Sequence, residues 1–373
     1  MRRDISFRAL ACLAFLAPPL LAQGRPPVSP GSPGEDGDRD RSDERLGIVE
    51  LDQETRRAID EAIDWLARKQ AETSGAWYSA PPDVYRMSIS SLAGLALLAH
   101  GDTPDSGRYA ASVRRAVEWV LKNQLPEGSA FPGLFHDREL PLKEDDRPMH
   151  GHGFALLFLG EAYGNTRDPA LRERMHKAIS AGSKLCTRSM SPDGGWFYHP
   201  DSNRDEGSVT VTQIQALRSA HNAGISVDAK TIERAVDYIR RSQMEDGGIR
   251  YTRLWGKTSS ALTAAGVTCL HGAGEYNSRT VDRCYEYLRQ NLRIEQKEPF
   301  FFYTHLYAAQ AMYQRGGPEW ASYYPRIRRL LLQMRHGKQL WDDEQHRLGP
   351  VYATSNALLI LQIPLRYLPI YQR

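Results

Sequence analysis

The chain has 373 residues, 41% hydrophobic and 25% charged, with 18 Tyr and 7 Trp, so it can bury a large core and is not a disordered polymer. Its 48 basic and 45 acidic residues leave a formal charge of +3, too weak a positive field for phosphate-backbone binding. Nucleic acid is excluded as a partner class.

Arg2, Arg3 and Arg8 precede an apolar stretch from Ala9 to Ala22, the layout of a secretory signal cleaved near Ala22. The stretch falls short of the roughly 20 residues that span a bilayer, and Pro18-Pro19 interrupts it. The expectation is an extracytoplasmic mature chain without a transmembrane span; an uncleaved anchor is the alternative. Cys12 sits within the stretch and not at its end, which argues against a lipid-anchored cysteine. Residues 23–50 are rich in Pro, Gly, Asp and Arg without apolar periodicity and read as a solvated linker. The acidic alternation from Asp36 to Asp40 lacks the remaining ligands of a Ca²⁺ loop. One folded domain, 51–373, remains.

Along that domain two kinds of helical segment alternate. Segments Asp52 to Gln70, Gly107 to Gln124, Asp168 to Met190, Asp228 to Gln243, Ser278 to Asn291 and Pro318 to Arg335 are amphipathic with one charged face. Asp168-Pro169 and Gly317-Pro318 place proline at a first helical position, and Asp168 can cap the amides behind it. Segments Met87 to His100, Gly151 to Tyr163, Ser208 to Ala223, Thr258 to Ala273, Tyr303 to Arg315 and Ala353 to Ile363 are apolar on nearly all sides and must be enclosed. Gly101, Gly164, Gly224, Gly274 and Gly316 follow five of them as helix-ending glycines. The alternation predicts an all-α fold of about six outer–inner helix pairs. The last inner segment is as apolar as the others, which favours a closed ring over an open solenoid. Cys186, Cys269 and Cys284 form no disulfide framework; Cys269 and Cys284 read as core thiols, with a pair between successive helices as the alternative.

Trp65-Leu66, Gln70 and Gly75-Ala76-Trp77 resemble the QW repeat of squalene and oxidosqualene cyclases. Tyr238-Ile239, Gln243 and Gly247-Gly248-Ile249 repeat it, as do Gly194-Gly195-Trp196 with Met190 in the Gln position. Trp119-Val120, Gln124, Gly128 and Phe131 form a looser copy, and the fifth and sixth copies read as degenerate. The chain thus resembles the prenyltransferase and squalene-oxidase repeat proteins, and its ending from Tyr352 to Arg373 is similar to theirs. The resemblance implies an (α/α)6 toroid like those of terpenoid cyclases and protein prenyltransferases. In the motif a Gln side chain can bond an orphan helix-end group, while the Gly permits a tight turn and the aromatic packs on the next repeat.

The resemblance does not bring the chemistry with it. There is no D-x-D-D, and Asp145-Asp146 and Asp342-Asp343 both lack the last Asp of D-D-x-x-D. Asp282, Cys284 and His305 look like a prenyltransferase zinc set, but Asp282 and Cys284 fall in an outer segment, out of phase with the family's ligands. No metal and no cofactor are therefore expected. The ring's mouth, where the inner helices begin, gathers Tyr85, His150, His152, Trp196, Tyr303, His305 and Tyr352 as candidate ligand-binding residues. Glu161 and Asp205 are the weak candidates for catalysis. The leading expectation is an extracytoplasmic toroid that holds an isoprenoid-like apolar molecule or a peptide in its central cavity without a catalytic centre. Aromatics beside carboxylates keep a sugar ligand, and a carbohydrate hydrolase or lyase, as the alternative; a terpenoid cyclase or prenyltransferase-like enzyme fits less well.

Overall fold

The computed structural model describes residues 51–372 apart from 79, 80, 82, 84, 336–338 and 344. The signal-sequence, linker and Cys12 readings lie outside the described residues. These residues form twelve α-helices: α1 (Gln53–Lys69), α2 (Arg86–His100), α3 (Ala110–Lys122), α4 (Pro148–Tyr163), α5 (Pro169–Ser189), α6 (Gly207–Asn222), α7 (Ala229–Arg241), α8 (Ser260–Gly272), α9 (Arg279–Asn291), α10 (Phe301–Arg315), α11 (Gly317–Met334) and α12 (Pro350–Leu361).

Odd-numbered helices form an outer layer and even-numbered ones an inner ring. The outer helices bury one stripe each: α7 buries Thr231, Ala235, Val236, Tyr238 and Ile239 and leaves its charges in water. The inner helices are buried almost all round, α4 from Pro148 to Ala162 with the exception of His150. Each inner helix packs on the next, and α12 packs back on α2, so the six pairs close. The seam is bonded at three levels. Gln362 Nε2 donates to Ala96 O at 3.1 Å, Arg335 pairs with Glu61 at 2.8 Å, and Arg328 with Asp52 at 2.8 Å.

The repeat motif has a definite mechanical role. Gln70 Nε2 donates to Gly75 O (2.8 Å) and to Ser112 O on α3 (2.9 Å). Gln124 bonds Gly133 O and Ala178 O on α5, and Gln243 bonds Gly247 O and Thr280 O on α9. The amide thus ties its own turn to the next outer helix, a correction to the expectation that it would close a helix end. The turn glycine has positive φ and lies on that same neighbour; a Cβ on Gly247 would stand 2.5 Å from Arg283 O. In the second repeat Gly133 and Phe135 fill the motif positions, not Gly128 and Phe131. The sixth repeat is not degenerate: Trp341 Nε1 donates to Leu331 O as Trp77 does to Leu66 O and Trp196 to Cys186 O. Gly164 keeps right-handed backbone, whereas Gly101, Gly224, Gly274 and Gly316 have positive φ. At α11 the proline is the second helical residue, because Gly317 opens the helix.

The axis of the ring is filled. After α12 the chain makes a short 3-10 turn, Ile363–Leu365, reverses at Arg366 with φ 60°, and enters the ring with a second turn, Pro369–Tyr371. Leu368, Ile370 and Tyr371 are buried there among Leu92, Leu95, Phe154, Leu157, Gln215, Leu306, Gln310 and Leu359. About 10 Å³ remains between them, the space of one water molecule. The expected ligand-holding central cavity is corrected by this: the chain's own C-terminal segment occupies it. Among the described residues no helix is long and apolar enough to cross a membrane.

Candidate functional site at the mouth of the ring

The mouth is framed by the described residues of the connections that lead from outer to inner helices: 70–85, 123–147, 190–206, 242–259, 292–300 and 335–349. A repeated bond fixes where each connection meets its inner helix. The backbone N–H of the motif residue donates to a side chain in the first turns of that helix: Trp77 to Ser90, Trp196 to Thr210, Ile249 to Thr263 and Trp341 to Thr354. In the second repeat the acceptor is His152 Nδ1, which takes the Phe135 N–H at 3.2 Å.

This register sorts the expected mouth residues. His152 is fully buried, and burial pushes its pKa down to about 4, so it is a neutral structural acceptor. His305 is also buried, with its pKa pushed down to about 3 and its Nδ1 against the Tyr323 hydroxyl at 2.8 Å. Trp196 is buried against α5. These three do not reach the mouth. Tyr85, His150, Tyr303 and Tyr352 are each half-buried at an inner-helix start, with the Tyr303 hydroxyl itself enclosed. Glu161 lies at the opposite end of the ring, and Asp205 faces Tyr238 on the outer helix α7. The zinc-like set is dispersed: Cys284 accepts from Gln243 Nε2, Asp282 pairs with Arg315, and His305 meets Tyr323. All three described cysteines are free and buried.

The structure assembles instead a strip of aromatic and charged groups across four inner-helix starts. Tyr85 donates to Asp146 Oδ1 at 3.2 Å, and Asp146 lies 3.5 Å from Arg147 Nε. The Arg147 guanidinium sits over the Tyr198 ring, 5.1 Å from its centroid. Tyr198 and Tyr251 join through their hydroxyls, and the Tyr251 ring meets Trp255 at a tilt of 53° with centroids 5.3 Å apart. Two backbone bonds pin the strip to the ring, Met149 N to Tyr198 O and Gly207 N to Tyr251 O. Trp255 ends it with 56% of its surface exposed, and Leu254 (69%), Phe300 (57%) and Tyr78 (47%) stand exposed on the same face.

Below the strip Glu206 caps α6, accepting from Ser208 N at 2.9 Å and Val209 N at 2.5 Å. Burial raises its pKa against the opposing effect of these bonds and of Arg147. The Ser208 hydroxyl stands between Glu206 (2.8 Å) and His150 Nε2 (3.3 Å). Burial, then the Arg147 charge, push the His150 pKa down to about 3. Asp145 does not face the cleft: it accepts from Arg147 N at 2.9 Å and meets His136 Nδ1 at 3.2 Å. Of the successive aspartates, only Asp146 is exposed.

Arg147, Tyr251 and Trp255 are the strip residues that sequence reasoning missed. One signal was available: Tyr198 and Tyr251 occupy the same place in successive Gly-Gly-x-x-Tyr runs, 194–198 and 247–251. Trp255 stands outside any repeat position.

No protein-family model matches the sequence, and no curated protein does. Solved structures do match. An inactive variant of an α-1,6-mannanase from Salegentibacter sp. HEL1_6, with two successive aspartates replaced and α-1,6-mannotriose bound, superposes with a TM-score of 0.61 at 9% identity, covering 83% of this chain and 98% of that one. The cellobiose 2-epimerase from Bacillus thermoamylovorans gives 0.58 at 11% identity, covering 84% and 99%. The type II terpene cyclase MstE from Scytonema gives 0.55 at 14%, covering 84% and 99%. The chain has the α/α-toroid fold. At such identities the toroid is what these proteins share with it, and function rests on the site.

Proposed function

We propose that this toroid binds an oligosaccharide laid across its mouth, outside the cytoplasm. The observation that carries the reading is the unbroken strip from Tyr85 through Asp146, Arg147, Tyr198 and Tyr251 to Trp255. A sugar ring presents an apolar C–H face and a rim of hydroxyls, which are donors and acceptors at once. Trp255 supplies an exposed flat surface for the face, and Asp146, Arg147 and the tyrosine hydroxyls supply acceptors and donors for the rim. In this reading His150, Tyr303 and Tyr352, half-buried at their helix starts, form the floor beneath the sugar. An isoprenoid-like ligand has less to support it, because the apolar axis is filled.

Two of the structural neighbours are named for sugars, the mannanase with its mannotriose and the cellobiose epimerase, which agrees with this reading through the fold alone. The mannanase variant lost activity with two successive aspartates. Here Asp145 is committed to His136 and the backbone, so the adjacent pair does not present two free carboxylates. Binding is therefore proposed and hydrolysis is not.

Titration calorimetry of the mature chain with α-1,6-mannotriose, cellobiose and a broader oligosaccharide panel tests it. Saturable binding that Trp255→Ala weakens at least tenfold is the expected result. Binding of a polyprenyl lipid or a peptide, with none by any sugar, would overturn it. Release of new reducing ends would promote the hydrolase alternative, with Glu206 the first residue to replace.

A further inference from the structure

We infer that the C-terminal segment 366–371 is a proton-latched plug, which closes the far end of the ring while the Glu161 carboxyl is neutral and loosens when that carboxyl ionises. The inference does not depend on what the mouth binds.

The latch is visible in the bonding. Glu161 lies on α4 with its side chain buried at the closed end. Its Oε2 accepts the Ile370 N–H at 3.1 Å, and its Oε1 lies 2.6 Å from the Ser219 hydroxyl of α6. Ser219 in turn reaches Leu157 O at 3.4 Å. A neutral carboxyl satisfies this set completely: its O–H donates to Ser219, Ser219 donates to Leu157 O, and the other oxygen takes the plug's amide. Gln314 Nε2 holds the Ile370 carbonyl from α10 at 3.4 Å, and Tyr367 packs on Gly101 where α2 ends.

Among the described residues an ionised carboxylate has no cation to meet in this place. No basic side chain among the described residues contributes to its charge state; the opposing influences are burial, first, and then the bonds from Ser219 and Ile370. The ionisable group facing it from the plug is the Tyr371 phenol, itself buried and held neutral by burial and by Glu161. From α6 it is faced by the Ser219 hydroxyl. Burial raises the Glu161 pKa to about 7, so the latch would release over the neutral range. When the plug leaves, the carboxylate meets water, and the apolar walls of Leu92, Phe154, Leu157 and Leu306 become reachable.

Amide hydrogen exchange at Ile370 and Tyr371 tests this, as the ratio of wild-type to Glu161→Gln rates from pH 5 to pH 8. The ratio cancels the intrinsic pH dependence of exchange, and glutamine reproduces the neutral bonding. It is expected to rise on the order of 100-fold across that range. A flat ratio would overturn the latch. In parallel, anilinonaphthalene sulfonate should be taken up by the wild type at pH 8 but not at pH 5, and by Glu161→Gln at neither; equal uptake by both proteins at pH 8 would overturn it too.

Discussion

Where the inner helices stop, the connections are short, four of them carry a glycine with positive φ, and a piece of the chain itself fills the opening. Where the inner helices start, the connections are longer and carry Tyr78, Leu254, Trp255 and Phe300 into solvent beside Asp146 and Arg147. Both ends belong to the same helix pairs, so the contrast comes from the connections and from the segment that follows α12. A toroid of this kind separates its duties: helices and motif turns hold the ring, and the long loops carry the recognition proposed above.

Removing part of the ring should cost far more than removing part of the mouth. Trp196→Ala deletes a fully buried indole and its bond to Cys186 O, and should lower unfolding free energy by ~3–5 kcal/mol in urea titration. Glu161 should make stability depend on pH. Its folded pKa lies above its unfolded value, so its contribution is fully present below about pH 4.5 and lost as pH rises through about 7. About 3 kcal/mol should disappear over that interval in the wild type and not in Glu161→Gln. Gln243→Ala leaves Gly247 O and Thr280 O without their shared donor and should cost about 1–2 kcal/mol.

His136 marks the boundary between the two regimes. Burial opposes its charge, but the bonds to Asp145 and Leu140 O and the nearby Asp137 outweigh it, so its pKa is raised. Its contribution should be whole below its unfolded pKa near 6.5 and fade as pH rises through the higher folded value. His136→Gln should therefore cost about 1–2 kcal/mol in acid and less in base. Trp255→Ala should leave stability within about 0.5 kcal/mol while weakening sugar binding at least tenfold. A large stability loss there would erase the distinction between ring and mouth.

The ring was legible because its signals are local and repeated. Wholly apolar segments such as Ser91 to Ala99 have one way to be soluble, and Gln70, Gln124 and Gln243 recur at matching places. The second and sixth repeats show where that failed: Phe135 and Trp341 lie within connections whose spacing departs from the other copies, and only the bonds to His152 and Thr354 reveal their equivalence. The mouth was half legible. Whether a residue near a helix start looks outward depends on helical phase, and two positions separate half-buried His150 from fully buried His152. Arg147, Tyr251 and Trp255 meet through loops whose path no periodicity encodes. The filled axis escaped altogether, since Leu368, Ile370 and Tyr371 carry no sign in sequence that they turn back inward.

The seam between α12 and α2 bears on how the chain acquires its structure. The wall that α2 needs on one side is α12, and Gln362, 266 residues further along the chain, must arrive before Ala96 O has its partner. No amino-terminal fragment can therefore shelter its first greasy helix in the native way, and an incomplete chain presents that surface to whatever surrounds it. Nascent molecules of this protein need either haste or a guardian until α12 is free to dock.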